Sequence, residues 1–240
     1  MPKSRSEIPV ATVTRLALYL RELQQLQRGG TESVRSQSLA ERLGLKDSQV
    51  RRDLSCLGTV GQRGVGYRVA DLVTAIQHVL GTDRSWSVIL VGVGNLGRAL
   101  TGYKGFGQQG FQLVAAFDSD PDKIGGHIGA LTIRGLDTLE AFIVEHPIDL
   151  AILAVPAESA RLVASRLASC GVSGILNFAP IAVPSSDALT IQDVDLAIEL
   201  QRLAFSVVRS HRPATADPKA SKESGERDLH QDAPQPRDTP

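Results

Sequence analysis

The chain has 240 residues, of which 42% are hydrophobic and 22% charged, a composition typical of globular proteins. Its two distant cysteines exclude a disulfide framework and a cysteine metal site, and no apolar run approaches the roughly 20 residues that span a bilayer. With no signal-peptide pattern near residue 1, we expect a cytoplasmic protein that does not contact a membrane.

The formal net charge is zero, but the charge is unevenly distributed. Residues 1–80 hold 12 Lys and Arg against 7 Asp and Glu, whereas the other 160 residues hold 14 against 19. This excess favours a polyanionic partner for the first third of the chain. Taken alone, it is no larger than the excess that many solvated helices carry.

The first third follows the pattern of a winged helix-turn-helix. Apolar spacing predicts an amphipathic helix over 9–28 and a third helix over 47–57. Between them, Ser38 and Glu41 form a capping-box pattern that predicts the start of a short second helix. The glycine-rich stretch 58–70 predicts a two-stranded wing.

Polar and basic side chains lie off the apolar stripe of the third helix. Gln and Arg suit bidentate hydrogen bonds to adenine and guanine in the major groove, and a wing arginine suits the minor groove. A merely solvated helix face is the alternative, but the turn, the wing and the charge distribution together favour DNA binding. The predicted DNA-binding residues are Gln49, Arg51, Arg52, Ser55, Arg63 and Tyr67.

After a connecting helix over 71–80, strands alternate with helices, which predicts a parallel sheet. A strand over 87–91 runs into the dinucleotide fingerprint G-x-G-x-x-G, and a helix follows from about Leu96. The next strand, 111–118, ends in an acid 21 residues after the last glycine, placed to bind the adenosine ribose hydroxyls and to repel a 2′-phosphate. The predicted cofactor is therefore NAD(H), bound by Gly92, Gly94, Gly97 and Asp118.

Further strands are predicted over 148–156 and 173–180, a helix over 158–170 and a last apolar helix over 194–208. The predicted fold is α/β, with an N-terminal winged helix-turn-helix, a Rossmann-type parallel sheet and a C-terminal helix. The predicted domains are 1–80 for DNA binding, 81–192 for NAD(H) binding, 193–211 for the last helix and 212–240 as a disordered tail.

No histidine lies in a recognisable catalytic arrangement and no metal-ligand spacing is present, so we expect neither catalytic nor metal-binding residues. A cysteine beside the apolar Leu57 is expected to be a packing residue, although thiol oxidation of Cys56 is the alternative. Two other functions stay open. One is an NAD-dependent oxidoreductase with a DNA-binding domain, and the other is a repressor that binds acyl-CoA.

The runs QVRRDLS, GQRGVGYRV, VGVGNLG, FDSDPDKIG and GILNFAP follow one another in an order that resembles the redox-sensing transcriptional repressor family, Rex. The resemblance covers about residues 9–209. It implies a homodimer that binds a palindromic DNA operator when NADH is low and releases it when NADH binds. It also implies that the C-terminal helix is exchanged between subunits.

The resemblance also assigns roles to individual residues. It implies cofactor contacts from Asn95, Leu96, Lys123, Val155, Pro156, Asn177 and Phe178, and a switch formed by Tyr103, Asp195 and Arg21. Two positions depart from the family pattern. Cys56 and Leu57 stand where an aromatic residue follows DLS, and Leu196 replaces a phenylalanine that is expected to pack against the nicotinamide pocket of the partner subunit.

Overall fold

The computed structural model describes residues 7–58, 61 and 65–210. Arg63 and the predicted tail 212–240 lie outside the described residues. By its backbone contacts the chain divides into two units, residues 1–195 and residues 196–240. No helix of the described residues is long and apolar enough to cross a membrane.

The first unit begins with four helices and a small two-stranded sheet. The helices are α1 (Val10–Arg28), α2 (Ser36–Leu43), α3 (Asp47–Ser55) and α4 (Val69–Leu80), and the strands are β1 (Ser33–Val34) and β2 (Tyr67–Arg68). Apolar side chains from all four helices form one buried cluster, which includes Leu16, Leu39, Leu54 and Leu72. The predicted helices of this part are therefore present, with ends shifted by up to three residues.

The predicted capping box at Ser38 is wrong. Helix α2 begins at Ser36 with Arg35 as its N-cap, and no side chain caps it. Ser38 lies inside the helix, and Glu41 accepts a hydrogen bond of 2.9 Å from Gln37 instead. A pairing four residues apart on the helix surface thus uses the carboxylate that a capping box requires.

The described strand of the wing, β2, pairs with β1 in antiparallel register, with Val34 opposite Tyr67. Gly66 precedes β2 with φ +98°, and a Cβ there would collide with the carbonyl oxygen of Val34. Residues 59–60 and 62–64 lie outside the described residues, so the predicted hairpin is seen only in part. The pairing with β1 was not predicted, because two residues are too short for a strand pattern.

The rest of the first unit is a seven-stranded sheet with helices on both faces. Its strands are β3 (Trp86–Val91), β4 (Phe111–Asp118), β5 (His127–Ile128), β6 (Leu131–Gly135), β7 (Leu150–Leu153), β8 (Gly174–Asn177) and β9 (Thr190–Asp193). The strand order is β5-β6-β4-β3-β7-β8-β9, and every pair is parallel except β5 with β6. This is a doubly wound sheet whose order reverses at β3.

Four helices connect these strands: α5 (Asn95–Thr101), α6 (Gly105–Gln108), α7 (Leu139–Glu145) and α8 (Ala157–Ser169). Helices α7 and α8 cover the face that buries Ile89 and Val91. Leu100 of α5 and Phe106 of α6 pack on the opposite face, where Val88 and Leu90 lie.

That opposite face is open near the amino ends of the strands. An apolar hollow of about 510 Å³ lies there, and it is lined by Trp86, Phe106, Phe111, Leu113, Ile152 and Leu176 among others. We call it the apolar hollow.

The described part of the second unit is one helix, α9 (Leu196–Ser210). Its apolar side chains are exposed: Leu196, Ile198, Leu200, Leu203, Phe205, Val207 and Val208. Exposure of so many apolar side chains on one helix is typical of an interaction surface.

Candidate cofactor site and DNA-binding face

The candidate cofactor site lies at the carboxyl edge of the sheet, where β3 is flanked by β4 and β7. Gly92 follows β3 with φ +98°, a left-handed conformation that favours glycine. A Cβ at Gly92 would collide with the carbonyl oxygen of Ala154, which follows β7. The loops after β3 and β7 therefore meet at the point where the strand order reverses, the position at which ligands bind such sheets.

The other two glycines of the fingerprint differ in their surroundings. A Cβ at Gly97 would collide with the carbonyl oxygen of Gly92, so this glycine lets α5 pack against the loop. At Gly94 a Cβ would meet no atom within 4 Å. The backbone at Gly94 thus borders open space, which a ligand phosphate can approach.

Asp118 ends β4 beside the glycine loop and is only 8% exposed. Its carboxylate accepts hydrogen bonds from the backbone N–H groups of Val93 (2.7 Å) and Asp120 (2.9 Å) and from Lys123 Nζ (3.2 Å). Burial raises the pKa of this carboxyl, but the hydrogen bonds outweigh burial and hold the pKa below its usual value. A carboxylate has about four acceptor positions, so one remains for a ligand hydroxyl.

Lys123 is shared between two acids, because Nζ also lies 3.3 Å from Asp120. Its hydrogen bond to Asp118 raises the pKa of Lys123. Asn95 and Leu96, at the start of α5, are exposed beside the same loop.

The loops after β7 and β8 complete this edge. Val155 is half-buried against Gly92, and Pro156 is exposed as the N-cap of α8. The Phe178 N–H donates to the carbonyl of Leu153 (2.8 Å), which keeps the two loops together. Asn177 is fully buried, and the protein engages both amide hydrogens of its side chain.

The three predicted switch residues lie in separate parts of the first unit. Tyr103, between α5 and α6, is 60% exposed and packs edge-on against Phe106 at 5.0 Å between ring centroids. Arg21 is exposed on α1, and Asp195 is exposed just after β9.

The candidate DNA-binding face is the outer surface of α3. Arg51, Arg52 and Ser55 are exposed there, and Arg51 forms an ion pair with Asp47 one turn earlier. Gln49 is half-buried and donates to Asp53 (3.0 Å), which holds its amide against the protein. Tyr67 on β2 is half-buried, and a Cβ added at Gly61 would lie 2.9 Å from its ring.

A buried ionic network fixes α3 against α1, and the sequence reasoning missed it. Asp53 is 2% exposed and accepts hydrogen bonds from Arg15 Nε (2.6 Å), Arg15 Nη2 (2.8 Å) and the Tyr19 hydroxyl (2.8 Å). Burial raises the pKa of Asp53, but these bonds and that of Gln49 outweigh it and lower the pKa. The available clue was an acid on the apolar stripe of α3, between Val50 and Leu54.

Both the N-terminal helical part and the sheet of this chain are similar to known protein families. Residues 7–55 match a family model described as "Putative DNA-binding protein N-terminus", and residues 83–181 match the "CoA binding domain" model. The redox-sensing transcriptional repressor Rex of Rhodopirellula baltica is 47% identical over 85% of this chain and 86% of its own length. Rex of Carboxydothermus hydrogenoformans is 42% identical over 85% of this chain and 98% of its own.

Solved structures agree. The crystal structure of RSP in complex with beta-NAD⁺ and operator DNA has a TM-score of 0.78 at 33% identity and covers 85% of this chain and 94% of that chain. RSP in complex with beta-NADH gives 0.75 at 31% identity, with 87% and 97% covered. A further structure presents RSP as a Rex-family repressor, with a TM-score of 0.75 at 32% identity over 85% of this chain and 95% of that chain. With this fold, this carboxyl-edge geometry and these relatives, the chain belongs to the Rex family of redox-sensing transcriptional repressors.

Proposed function

We propose that this chain is a transcriptional repressor that binds operator DNA when NADH is low and releases it when NADH occupies the carboxyl edge of the sheet. The observation that carries this is the charged, buried Asp118, tied to the glycine loop in a chain that also presents an arginine-bearing helix α3. The relatives are named as repressors, which confirms the prediction of a regulator and not an enzyme. A repressor must reach DNA, so we place it in the cytoplasm.

The site favours NAD⁺ and NADH over the related cofactors. Gly92, Gly94, Gly97, Asn95 and Leu96 would hold the pyrophosphate side, and Asp118 the adenosine ribose. NADP(H) carries a phosphate on that ribose, and so does coenzyme A, whereas NAD(H) offers a free diol. The Asp118 carboxylate repels the ribose phosphate of NADP(H) and of coenzyme A, and it accepts a hydrogen bond from the ribose diol of NAD(H).

Lys123, Val155, Pro156, Asn177 and Phe178 complete the proposed cofactor site from the loops around it. The two cofactor forms differ only at the nicotinamide ring, which carries a positive charge in NAD⁺ and an added hydride in NADH. To act on DNA, that difference must favour one of two conformations of the protein.

For DNA binding, we propose that Arg51, Arg52 and Ser55 contact the base edges or the backbone phosphates of the duplex. Their exposure supports this role, since direct readout needs side chains that reach base edges. Gln49 and Tyr67 are proposed as secondary contacts. The amide of Gln49 is hydrogen-bonded to Asp53, and the ring of Tyr67 lies against Gly61. Arg63 stays a prediction from the sequence.

We further propose a homodimer on a palindromic operator. Among the described residues, the apolar hollow is open on the sheet and the apolar side chains of α9 are exposed, and α9 of a second copy fits the hollow chemically. A two-fold dimer then presents two α3 helices to two half-sites. In that dimer, Asp195 of one chain is the proposed partner of Tyr103 or Arg21, and Leu196 follows it without an aromatic ring.

We propose the division of the chain into 1–80, 81–192 and 193–211, and three separate buried clusters support its first boundary. One cluster runs from Leu16 to Ile76, and the clusters of the sheet begin at Val88.

The direct test uses a labelled duplex that the wild-type protein selects from a randomised pool in the presence of NAD⁺. Arg51→Ala and Arg52→Ala should each weaken binding by at least about tenfold at fixed salt, without changing the affinity for NADH. Arg161→Ala on α8, which also removes an exposed arginine, is the matched control and should bind DNA as wild type does. Equal losses in all three variants would refute the assignment to α3. Steady consumption of NADH with a hydroxy or keto substrate would instead favour the oxidoreductase.

A further inference from the structure

Asn177 is a fully buried polar side chain whose contacts join two segments of the sheet edge. It ends β8, and in the parallel pairing it lies opposite Asp193, the last residue of β9. Its Nδ2 donates to both the carbonyl of Ile181 (2.8 Å) and Oδ1 of Asp193 (2.7 Å). Its Oδ1 accepts from the backbone N–H of Ala179 (3.0 Å).

These bonds use both amide hydrogens of Asn177 within the protein, so none remains for a ligand. One end of the network is the loop 178–181, on the cofactor side of the sheet. The other end is Asp193, two residues before Asp195 and three before α9 begins. The backbone reinforces the link, since the Val194 N–H donates to the carbonyl of Asn177 (2.8 Å).

We infer that Asn177 and Asp193 form a latch that couples the cofactor-side loop to the chain segment entering α9. Asn177 thus acts in the cofactor site as a positioning residue, because both of its amide hydrogens are used within the protein. The inference rests on the proposed function and adds the route by which cofactor occupancy reaches the C-terminal helix. Asn177 Nδ2 donates to the loop and to Asp193 at once. When the loop moves, the end of β9 must therefore move with it or the hydrogen bond between Asn177 and Asp193 breaks.

The two partners differ in a way that permits a clean test. Asn177 is buried and holds the loop, so its replacement would disturb the fold. Asp193 is exposed, and Asp193→Ala removes one acceptor while the bonds of Asn177 to Ile181 and Ala179 remain. Asp193→Asn keeps an acceptor oxygen at the same place. Asp187→Ala removes an exposed acid six residues earlier in the chain and serves as the matched control.

The readout is the coupling factor, the ratio of NADH dissociation constants with and without saturating selected duplex. Asp193→Ala should bind NADH alone within about twofold of wild type, but its coupling factor should fall at least about fivefold. Asp193→Asn should recover most of the coupling, and Asp187→Ala should keep it. In the cofactor-free protein, Asp193→Ala should also speed amide hydrogen exchange in peptides covering 194–210.

The latch is refuted if Asp193→Ala keeps the wild-type coupling factor or if Asp187→Ala loses as much. Failure of Asp193→Asn to restore coupling also refutes it, since the hydrogen bond would then not be the cause. A wild-type protein whose DNA binding ignores NADH overturns the proposed function itself, and the latch with it. The wild-type measurement therefore separates the two failures.

Discussion

Replacing Asp53 with alanine should loosen helix α3 strongly, because this one carboxylate accepts hydrogen bonds from four side chains, those of Thr12, Arg15, Tyr19 and Gln49. The fully buried Tyr19 hydroxyl loses its acceptor, and Arg15 loses hydrogen bonds of 2.6 and 2.8 Å. An unsatisfied buried hydroxyl costs roughly 1–3 kcal/mol, and breaking a buried ion pair from one side costs roughly 3–5 kcal/mol. These costs overlap, since Arg15 is 23% exposed and its guanidinium can turn to water.

We therefore expect Asp53→Ala to lower the free energy of unfolding by about 3–4 kcal/mol. Urea unfolding followed by circular dichroism at neutral pH measures the loss. Asp71→Ala is the matched control, because Asp71 is 62% exposed and its ion pair with Arg68 is 3.9 Å long. That change should cost about 0.5 kcal/mol or less.

A double-mutant cycle with Arg15→Met tests the cause. Since the two side chains share the ion pair, their coupling energy should be about 1.5–3 kcal/mol. A loss in Asp53→Ala below about 1.5 kcal/mol, or additive losses in the cycle, would refute the reasoning that this ion pair fixes α3 on α1.

The other predictions concern the cofactor edge, acid stability and assembly. Gly94→Ala should fold normally, since its φ of −80° suits alanine and its Cβ meets no atom within 4 Å, but calorimetry should show NADH binding weakened at least about tenfold. Gly92→Ala, with φ +98°, should instead lose about 1–3 kcal/mol of stability, and NADH binding by Gly94→Ala at wild-type strength would contradict this role of the loop. Asp118→Asn should reduce the preference for NADH over NADPH at least about tenfold, as read from both dissociation constants; an unchanged preference would place the ribose reader elsewhere. Because the folded pKa of Asp53 is lowered, its contribution to stability is present above the unfolded pKa of about 3.9 and is lost as the pH falls through the lower folded value. Below about pH 4, the urea midpoint of unfolding should thus fall more steeply with decreasing pH for wild type than for Asp53→Ala. The same pH dependence in both proteins would contradict this contribution of Asp53. Ending the chain after Asp195 should give a monomer by sedimentation with a red-shifted Trp86 emission, and a persistent dimer would rule out α9 as the exchanged helix.

The cofactor edge could be predicted from sequence because each part has a local pattern. The glycines at 92, 94 and 97 mark one turn, and the apolar run before Asp118 marks the next strand with its exact bounds. Parallel strands then bring both to the same edge of the sheet. Local spacing therefore predicted the arrangement of this edge without knowledge of the tertiary structure, and the cofactor contacts of its residues stay predictions.

Features that depend on distant partners were missed. Arg15 and Asp53 are 38 residues apart, and Asn177 and Asp193 are 16 apart, so neither pair forms a periodic pattern. Strand β9 was missed because it is four residues long with mostly exposed side chains, and it lacks the alternation of a half-buried strand. Helix α7 has only seven residues, too few for apolar spacing to mark it.

Titration of NADH against a fixed NAD⁺ background, with the selected duplex at stated salt, tests the central claim most directly. The account predicts that NADH releases the duplex, that NAD⁺ does not, and that DNA weakens NADH binding by the same factor, as linkage requires. Duplex binding that is unchanged across the NADH titration would contradict it.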